Sequence, residues 1–306
     1  MRQIAFYGKG GIGKSTISSN LAAAYAEQGL NTMVIGCDPK SDCTRNLRGD
    51  ADMPTVLDVL REKGVAKLGL TELVAGKQIE VDEIVHKGYK GVLCVEAGGP
   101  EPAVGCAGRG VIVAIDLLKK MGIYDNFDLD VVIYDVLGDI VCGGFGIPLR
   151  RGLADDVFVV TSADYLAVYA ANNICKGIAR HARREGSPLG GIVYNVRGAV
   201  DDFALVDEFA RRVGSKVIGT IPNDTTIMES EIYARTAIEH SPKSTIADRL
   251  RNLAASIYGN KETVSPTPLS TKELADFAQR IRQKTREEYI HMRSGGKVKV
   301  KLEEMG

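Results

Sequence analysis

The sequence lacks the features that mark membrane, secreted or nucleic-acid-binding proteins. Its 306 residues include 39 basic and 39 acidic side chains, so no surplus of charge favours a nucleic acid or an anionic membrane as partner. No apolar run reaches the roughly 18 residues that a membrane span needs. The N-terminal stretch RQIAFYG also lacks the basic and apolar regions of a secretion signal. We therefore expect a cytoplasmic protein whose partners include neither a membrane nor a nucleic acid.

The spacing C-x-x-C is absent as well, although the chain has 6 cysteines. Its absence argues against a zinc knuckle, a thioredoxin-type site and an iron–sulfur carrier of the ATPase type. Disulfides are not expected in a reducing compartment. Four cysteines follow or lie within apolar or helical stretches and are predicted to be small buried side chains: Cys37, Cys43, Cys94 and Cys175.

Apolar runs alternate with amphipathic segments along most of the chain. The predicted strands are RQIAFYG, NTMVIGCD, GVLCVEAG, LDVVIYDV, DDVFVVTS, GGIVYNV and KVIGTIP. Continuous apolar strands separated by helices predict an α/β fold, with a mostly parallel sheet covered by helices on both faces. We expect one domain over residues 1–264. The stretch SPTPLS then leads into a C-terminal helix and tail over residues 265–306.

The segment GKGGIGKST, residues 8–16, carries the first chemical motif. It matches G-x-x-x-x-G-K-[ST], follows a predicted strand and opens a predicted helix, which is the context of a P-loop. Backbone N–H groups of such a loop surround phosphate oxygens. Lys14 is expected to neutralise the β- and γ-phosphates, and Ser15 to hold Mg²⁺. The predicted nucleotide-binding residues are Gly8, Lys9, Gly10, Gly11, Ile12, Gly13, Lys14, Ser15 and Thr16.

A second lysine, Lys9, follows the first glycine of this segment. The pattern K-G-G-x-G-K-S/T resembles the deviant Walker A group of ATPases, which form homodimers with nucleotide between the subunits. The resemblance implies that Lys9 reaches the phosphates of the other subunit. Two lysine ammonium groups near one triphosphate would also compensate its negative charge. The alternative is a lysine that only faces solvent.

Four aspartates end strands at the edge of the predicted sheet where ligands collect. The stretch GCDPKSD supplies Asp38 and Asp42, and YDVLGD supplies Asp135 and Asp139. Carboxylates in such positions can bind Mg²⁺ or its waters, or orient an attacking water. The alternative is that they only cap the helices that follow.

The two remaining cysteines, Cys106 and Cys142, lie in the glycine-rich stretches GGPEPAVGCAGRG and VCGGFG. Small neighbours allow backbone N–H groups to approach a sulfur, as they do around iron–sulfur clusters. A cubane cluster needs four ligands, and a symmetric dimer would supply two from each subunit. Spacing alone does not distinguish cluster ligands from ordinary cysteines in loops.

Five stretches together resemble the nitrogenase iron protein family: YGKGGIGKST, GCDPKSD, GGPEPAVGCAGRG, YDVLGDIVCGGF and YAANNI. The resemblance implies a homodimer that holds one [4Fe–4S] cluster, ligated by Cys106 and Cys142 of each subunit, and binds MgATP and MgADP. The four aspartates would then belong to switch regions that respond to nucleotide. Arg109 matches a surface arginine that is ADP-ribosylated in some relatives. The positions that match the family's adenine site are Asn195, Pro222 and Asp224.

The implied activity is ATP-gated transfer of single electrons to a catalytic component, with ferredoxin or flavodoxin as the upstream donor. Asn223 and Met228 depart from the arginine and glutamine usual in nitrogenase. They leave open a nitrogenase-like reductase of tetrapyrroles, such as coenzyme F430 or chlorophyllide precursors, or of methylthio-alkanes. The alternative from another class is a partitioning or positioning ATPase of the deviant Walker A group, without a cluster.

Overall fold

The computed structural model describes residues 1–64, 79–99, 107–138, 146–149, 153–182, 186–197 and 202–293. Eight strands are found in these ranges: β1 (Arg2–Tyr7), β2 (Thr32–Cys37), β3 (His86–Lys87), β4 (Leu93–Glu96), β5 (Val131–Val136), β6 (Asp156–Thr161), β7 (Leu189–Asn195) and β8 (Val217–Ile221). All seven runs predicted as strands are present. The two-residue β3 was not predicted, because it is too short to show a pattern.

Helices connect the strands. The described helices are α1 (Lys14–Glu27), α2 (Arg45–Arg48), α3 (Val56–Glu62), α4 (Ala107–Lys120), α5 (Ile123–Asn126), α6 (Tyr165–Ala182), α7 (Phe203–Arg212), α8 (Thr225–Ile232), α9 (Ala237–His240), α10 (Thr245–Gly259) and α11 (Thr271–Arg293). Short 3₁₀ turns form at Val81–Glu83 and Tyr89–Gly91. No helix in the described ranges is both long and apolar enough to cross a membrane.

The strands form one sheet in the order β3-β4-β2-β5-β1-β6-β7-β8. Every neighbouring pair is parallel except β3 and β4, which run antiparallel. The predicted α/β fold with a mostly parallel sheet is thus confirmed. The first strand, β1, lies in the interior of the sheet, between β5 and β6. The carboxyl ends of β1, β2 and β5 therefore meet at one edge, where the predicted site residues follow them.

Apolar side chains cover both faces of the sheet. Successive residues of β1 point to opposite faces, so Phe6 belongs to one buried cluster and Tyr7 to the other. On one face the rings of Phe6 and Phe158 are 5.9 Å apart. Helix α1 packs on this face, and the Tyr25 hydroxyl donates to the carbonyl oxygen of Ala254 in α10 at 3.0 Å. The predicted burial of Cys37, Cys43, Cys94 and Cys175 is confirmed.

The described part of the C-terminal segment packs on the opposite face. The Asn172 side chain of α6 exchanges two hydrogen bonds with the backbone of Leu269, at 3.0 and 2.8 Å. The ring of Phe277 in α11 is buried 6.2 Å from that of Phe209. These contacts attach α11 to α6 and α7. The domain boundary at residue 264 stays a prediction.

Candidate functional site

Residues 8–16 join the end of β1 to the start of α1, where the sequence predicts a phosphate-binding loop. A Cβ atom on Gly8 would lie 2.3 Å from the carbonyl oxygen of Val160, and one on Gly13 would lie 2.5 Å from Nδ2 of Asn195. Gly13 also has a φ of 95°. Only glycine fits at these two positions. The loop is thereby held against β6 and β7 with the N-terminus of α1 beside it, as anion binding requires.

The remaining loop residues complete this shape. Gly11 has a φ of 73°, a left-handed conformation that glycine adopts without strain. A side chain at Gly10 would meet nothing within 4 Å. Ile12 is buried, and its carbonyl oxygen accepts a hydrogen bond from Nδ2 of Asn195 at 2.7 Å. The loop is therefore open on its outer side and anchored on its inner side.

Lys14, Ser15 and Asp135 come together at the start of α1. Lys14 is only 7% exposed, and its Nζ lies 3.4 Å from the carbonyl oxygen of Lys9. Asp135 ends the apolar part of β5, is buried, and accepts a hydrogen bond from the Ser18 hydroxyl at 3.0 Å. Burial raises the pKa of the Asp135 carboxyl, while the charge of Lys14 and a hydrogen bond from Ser15 oppose that rise.

This set of groups fits a magnesium–nucleotide complex. A hydroxyl and a carboxylate are ligands that Mg²⁺ prefers, directly or through water. An adjacent lysine ammonium suits phosphate oxygens. The desolvated Asp135 carboxylate would also be stabilised by a divalent cation beside it. The arrangement can therefore hold a nucleoside triphosphate with its metal at the start of α1.

Asp38 and Asp42 lie in a turn between β2 and α2, here called the 38–42 segment. Asp38 is half-buried, and its carboxylate accepts from the backbone N–H of Lys40 at 3.0 Å. Asp42 is exposed, and its carbonyl oxygen accepts from the N–H of Arg45 at 3.3 Å. Ser41 has a φ of 57°, which is uncommon for a residue other than glycine. Both carboxylates thus stand at the predicted edge of the sheet.

The segment after Asp135 touches the phosphate loop. A Cβ atom on Gly138 would lie 2.1 Å from the carbonyl oxygen of Gly8 and 2.8 Å from the backbone nitrogen of Gly10. Asp139, the next predicted carboxylate, lies outside the described residues. The close approach at Gly138 packs this segment against the loop, so a movement of one acts on the other.

Lys9 forms an ion pair with an acid outside its own loop. Its Nζ lies 3.9 Å from a carboxylate oxygen of Asp164, and its side chain is 39% exposed. Asp164 also caps α6 by accepting from the backbone N–H of Ala167 at 2.9 Å. A partly exposed ammonium is compatible with a role towards another subunit. That role stays a prediction.

The predicted adenine residues line one cavity of about 230 Å³ next to the loop. Asn195 and Pro222 form part of its wall, and Asp224 caps α8 by accepting from the N–H of Thr226 at 2.8 Å. Six of its lining residues are Gly13, Thr16, Asn195, Pro222, Asp224 and Glu231. The cavity opens beside the N-terminus of α1, so a phosphate chain can run from it into the loop.

Two charged residues of this cavity were missed by sequence reasoning. Glu231 accepts a hydrogen bond from the Thr16 hydroxyl and so links α8 to α1. Arg197 follows β7, with Nη1 lying 3.4 Å from the position of a Cβ atom on Gly13. Glu231 lies three positions after Met228, which is one helical turn along α8. Its spacing from Met228, a position that the sequence had already singled out, was the available signal. Nothing in the local sequence marks Arg197.

The predicted cluster ligands cannot be placed. Cys106 and Cys142 lie outside the described residues, and Arg109 lies in α4 with its side chain not described. Within the described ranges, no group of three or more His, Cys, Asp or Glu side chains is arranged to hold a metal. Burial raises the pKa of the Cys94 and Cys175 thiols to about 12. These two behave as inert core side chains.

The mostly parallel sheet, the loop before α1 and the buried carboxylate near the end of β5 define a P-loop nucleotide-binding protein. Solved structures agree on the fold. The septum site-determining protein MinD from Pyrococcus horikoshii, complexed with Mg-ADP, matches with a TM-score of 0.62 and 17% identity over 84% of this chain and 95% of its own. A ParA family ATPase from Chlorobium tepidum matches with a TM-score of 0.61 and 20% identity over 83% and 97% of the two chains.

Sequence comparison goes further. Residues 2–284 match the model of the 4Fe-4S iron sulfur cluster binding proteins, NifH/frxC family, and the chain belongs to this family. "Nitrogenase iron protein 2" of Methanothermococcus thermolithotrophicus is 55% identical over 94% of this chain and 99% of the relative. "Nitrogenase iron protein" of Methanococcus voltae is 49% identical over 94% and 100% of the two chains.

Proposed function

We propose that the protein is an ATP-dependent electron donor of the nitrogenase iron protein type. It is a homodimer that holds one [4Fe–4S] cluster and hydrolyses MgATP to deliver single electrons to the catalytic component of nitrogenase. The family match over residues 2–284 carries this conclusion. The P-loop geometry supports it independently, because Lys14, Ser15 and Asp135 meet beside an open glycine loop.

The phosphate end of the site has the following proposed roles. Lys14 neutralises the β- and γ-phosphates, and Ser15 holds Mg²⁺. Asp135, buried and bonded to Ser18, holds the metal or its waters. Lys9 reaches the phosphates of the other subunit, and its partial exposure supports this role. Asp38, Asp42 and Asp139 respond to the γ-phosphate.

Cys106 and Cys142 of each subunit are the proposed cluster ligands. The cluster, when bound, supplies a centre that takes up and releases one electron at a time. In the sequence, Asp135 and Cys142 belong to one short stretch, and Gly138 between them contacts the phosphate loop. A change at the γ-phosphate can therefore displace this stretch, as in other order–disorder and loop switches.

The adenine is proposed to occupy the cavity lined by Asn195, Pro222 and Asp224. Ferredoxin or flavodoxin is the proposed upstream donor, in the cytoplasm, with neither a membrane nor a nucleic acid as partner. The balance of 39 basic and 39 acidic residues supports the last part. Arg109 is the proposed modification site. The relatives named nitrogenase iron protein favour nitrogenase over a tetrapyrrole or methylthio-alkane reductase as the catalytic partner.

Anaerobic purification tests the donor function. The expected product is brown, contains about four irons per dimer, and gives a paramagnetic signal after reduction with dithionite that changes on adding MgATP. Cys142→Ser should lose the cluster and still bind MgATP. Cys175→Ala is the matched control, because Cys175 is buried in α6 and should not affect iron content. A full cluster in Cys142→Ser would refute the ligand assignment.

The positioning ATPase is the competing function, and only the fold favours it, through the MinD and ParA likeness at 17% and 20% identity. It predicts a colourless protein with ATPase activity and no iron. The end use is tested by mixing the reduced protein with purified catalytic components. Electron transfer to a nitrogenase component is expected, and transfer only to a tetrapyrrole reductase would contradict it.

A further inference from the structure

Two buried carboxyl groups flank one glycine at the site edge of the sheet. Gly36 of β2 is in register with Glu96 of β4 on one side and with Asp135 of β5 on the other. Both acids are 1% exposed. Neighbours in register point to the same face of a sheet, so the two carboxyl groups lie on the face to which a side chain at position 36 would point.

Glu96 occupies the space that Gly36 leaves free. A Cβ atom on Gly36 would lie 1.9 Å from Oε2 of Glu96, and 2.9 Å from Cβ of Cys43. The Glu96 side chain therefore leans across β2 towards the strand that carries Asp135. Within the described residues, Oε2 has no hydrogen-bond donor. A buried carboxyl oxygen without a hydrogen-bond donor is costly and rare in folded proteins. The environment of the Glu96 carboxyl group is therefore unusual.

Two successive residues after the 38–42 segment lie against Glu96 and Gly36. Thr44 donates to Oε1 of Glu96 from both its backbone nitrogen and its hydroxyl, each at 2.7 Å. Cys43 packs over Gly36, where its Cβ atom lies 2.9 Å from the position of a Cβ atom on that glycine. The chain that follows the 38–42 segment is thus bonded to β4 by Thr44 and packed on β2 by the residue before it.

A second contact joins the same two segments. A Cβ atom on Gly99, shortly after Glu96, would lie 2.8 Å from Cβ of Pro39. The N–H of Ala97, between them, donates to the carbonyl oxygen of Gly36 at 2.9 Å. A displacement of the 38–42 segment therefore acts on the Thr44 bonds and on the chain that follows β4.

We propose that Glu96 is a positioning residue, which fixes the nucleotide-responsive 38–42 segment to β4 through Thr44 and transmits its movement to residues 97–99. This inference deepens the proposed function, since it rests on that segment responding to nucleotide. Asp135 and the segment after it form one link to the phosphate site. Glu96 and the segment after it form a second link, on the other side of Gly36.

Hydrogen exchange of the peptide that covers residues 38–44, measured on the full-length anaerobic protein, tests the attachment. Glu96→Ala should speed exchange by about tenfold, and Thr44→Val by a smaller factor because its backbone donor remains. Glu96→Gln should stay close to wild type, because its amide oxygen can accept both bonds. Thr32→Val is the matched control: this buried threonine lies at the far end of β2 and donates only to Leu30, at 3.0 Å.

Nucleotide binding separates positioning from a purely structural role. In Glu96→Ala the ratio of the MgATP to the MgADP dissociation constant should change by about tenfold, and Glu96→Gln should restore it. The inference would be overturned if Thr44→Val showed the same hydrogen exchange and the same nucleotide preference as Thr32→Val. It would also be overturned if Glu96→Gln behaved like Glu96→Ala. These measurements need neither the cluster nor a partner protein. A protein without iron would refute the proposed function while leaving this result standing.

Discussion

The amide of Asn195 at the end of β7 donates to the carbonyl oxygen of Ile12 at 2.7 Å and so fixes the phosphate loop to a strand far away in sequence. The same Nδ2 lies 2.5 Å from where a Cβ atom on Gly13 would be. With asparagine at position 195, the loop therefore needs glycine at position 13. The nucleotide site depends on this contact for its shape.

Asn195→Ala should weaken ATP binding and lower stability together. It leaves the buried Ile12 carbonyl without its donor, which costs about 1–3 kcal/mol. The matched control is Asn172→Ala, whose buried amide binds the Leu269 backbone away from the loop. Chemical denaturation should show a loss in both variants, and calorimetric titration should show weaker ATP binding only in Asn195→Ala. Equal ATP affinities would contradict the prediction.

Gly138→Ala should displace the phosphate loop, because the added Cβ atom would lie 2.1 Å from the Gly8 carbonyl oxygen. We expect a destabilisation of about 1–3 kcal/mol and a loss of ATP affinity. Gly259→Ala serves as the control, since a Cβ atom there would meet nothing within 4 Å. Thermal melts and ATP titrations of both variants decide the matter. A Gly138→Ala protein that binds ATP like the Gly259→Ala protein would show that the loop tolerates the contact.

Asp135→Asn should raise the melting temperature of the nucleotide-free protein at neutral pH. Burial raises the pKa of this carboxyl, so its ionised form carries a cost in the folded state that the amide avoids. The same change should abolish most MgATP hydrolysis, because a ligand for the metal or its waters is lost. Melting curves and phosphate release measure the two effects. A lower melting temperature together with normal hydrolysis would contradict both parts.

Stability should fall as the pH rises towards neutrality, partly because of Glu96. Burial raises the pKa of its carboxyl to about 7, with Asp135 adding to the rise and the Thr44 bonds and Arg48 opposing it. The folded state therefore binds the proton more tightly than the unfolded state. The stabilisation is complete below about pH 4.5, the ordinary pKa, and is lost as the pH passes about 7.

Glu96→Gln should remove this contribution to the pH dependence. One proton changes the free energy of unfolding by up to about 1.4 kcal/mol per pH unit within that window. Urea denaturation of the wild type and the variant at several pH values between 5 and 8 provides the test. The difference between the two proteins should grow with pH, in favour of the variant. Parallel curves would refute the buried-acid interpretation.

Helix α11 should stabilise the protein through one aromatic ring more than through its charges. Phe277→Ala removes a buried ring that packs on Phe209, at a cost of about 3–5 kcal/mol. Arg280→Ala removes an ion pair with Glu208 on a half-exposed side chain, at a cost of about 0.5 kcal/mol. Denaturant unfolding of both variants compares the two losses. A larger loss in Arg280→Ala would contradict the packing of α11.

The strands and the phosphate loop were predictable because their signals are local. The apolar run before Asp135 and the pattern of residues 8–16 each lie within one stretch of chain. The pairing of Thr44 with Glu96 gave no such signal. It joins the residue before α2 to the last residue of β4, which the sequence separates, and the glutamate in GVLCVEAG looks like any polar residue that ends a strand.

The far wall of the cavity was only partly predictable, for a related reason. Asn195, Pro222 and Asp224 were found by resemblance, whereas Glu231 acts through a hydrogen bond to Thr16 that depends on how α8 packs on α1. The two-residue β3 was missed because its pairing with β4 depends on the tertiary fold. Contacts between distant segments thus account for most of what sequence reasoning missed.

The interior position of β1 has a consequence for synthesis on the ribosome. Strand β1 is made before β5 and β6 and must wait for them before both of its edges are paired, and the cavity wall at Pro222 is made later still. The nascent chain thus emerges with its phosphate loop long before any pocket exists to receive a nucleotide. ATP can assist folding only after most of the polypeptide has left the exit tunnel.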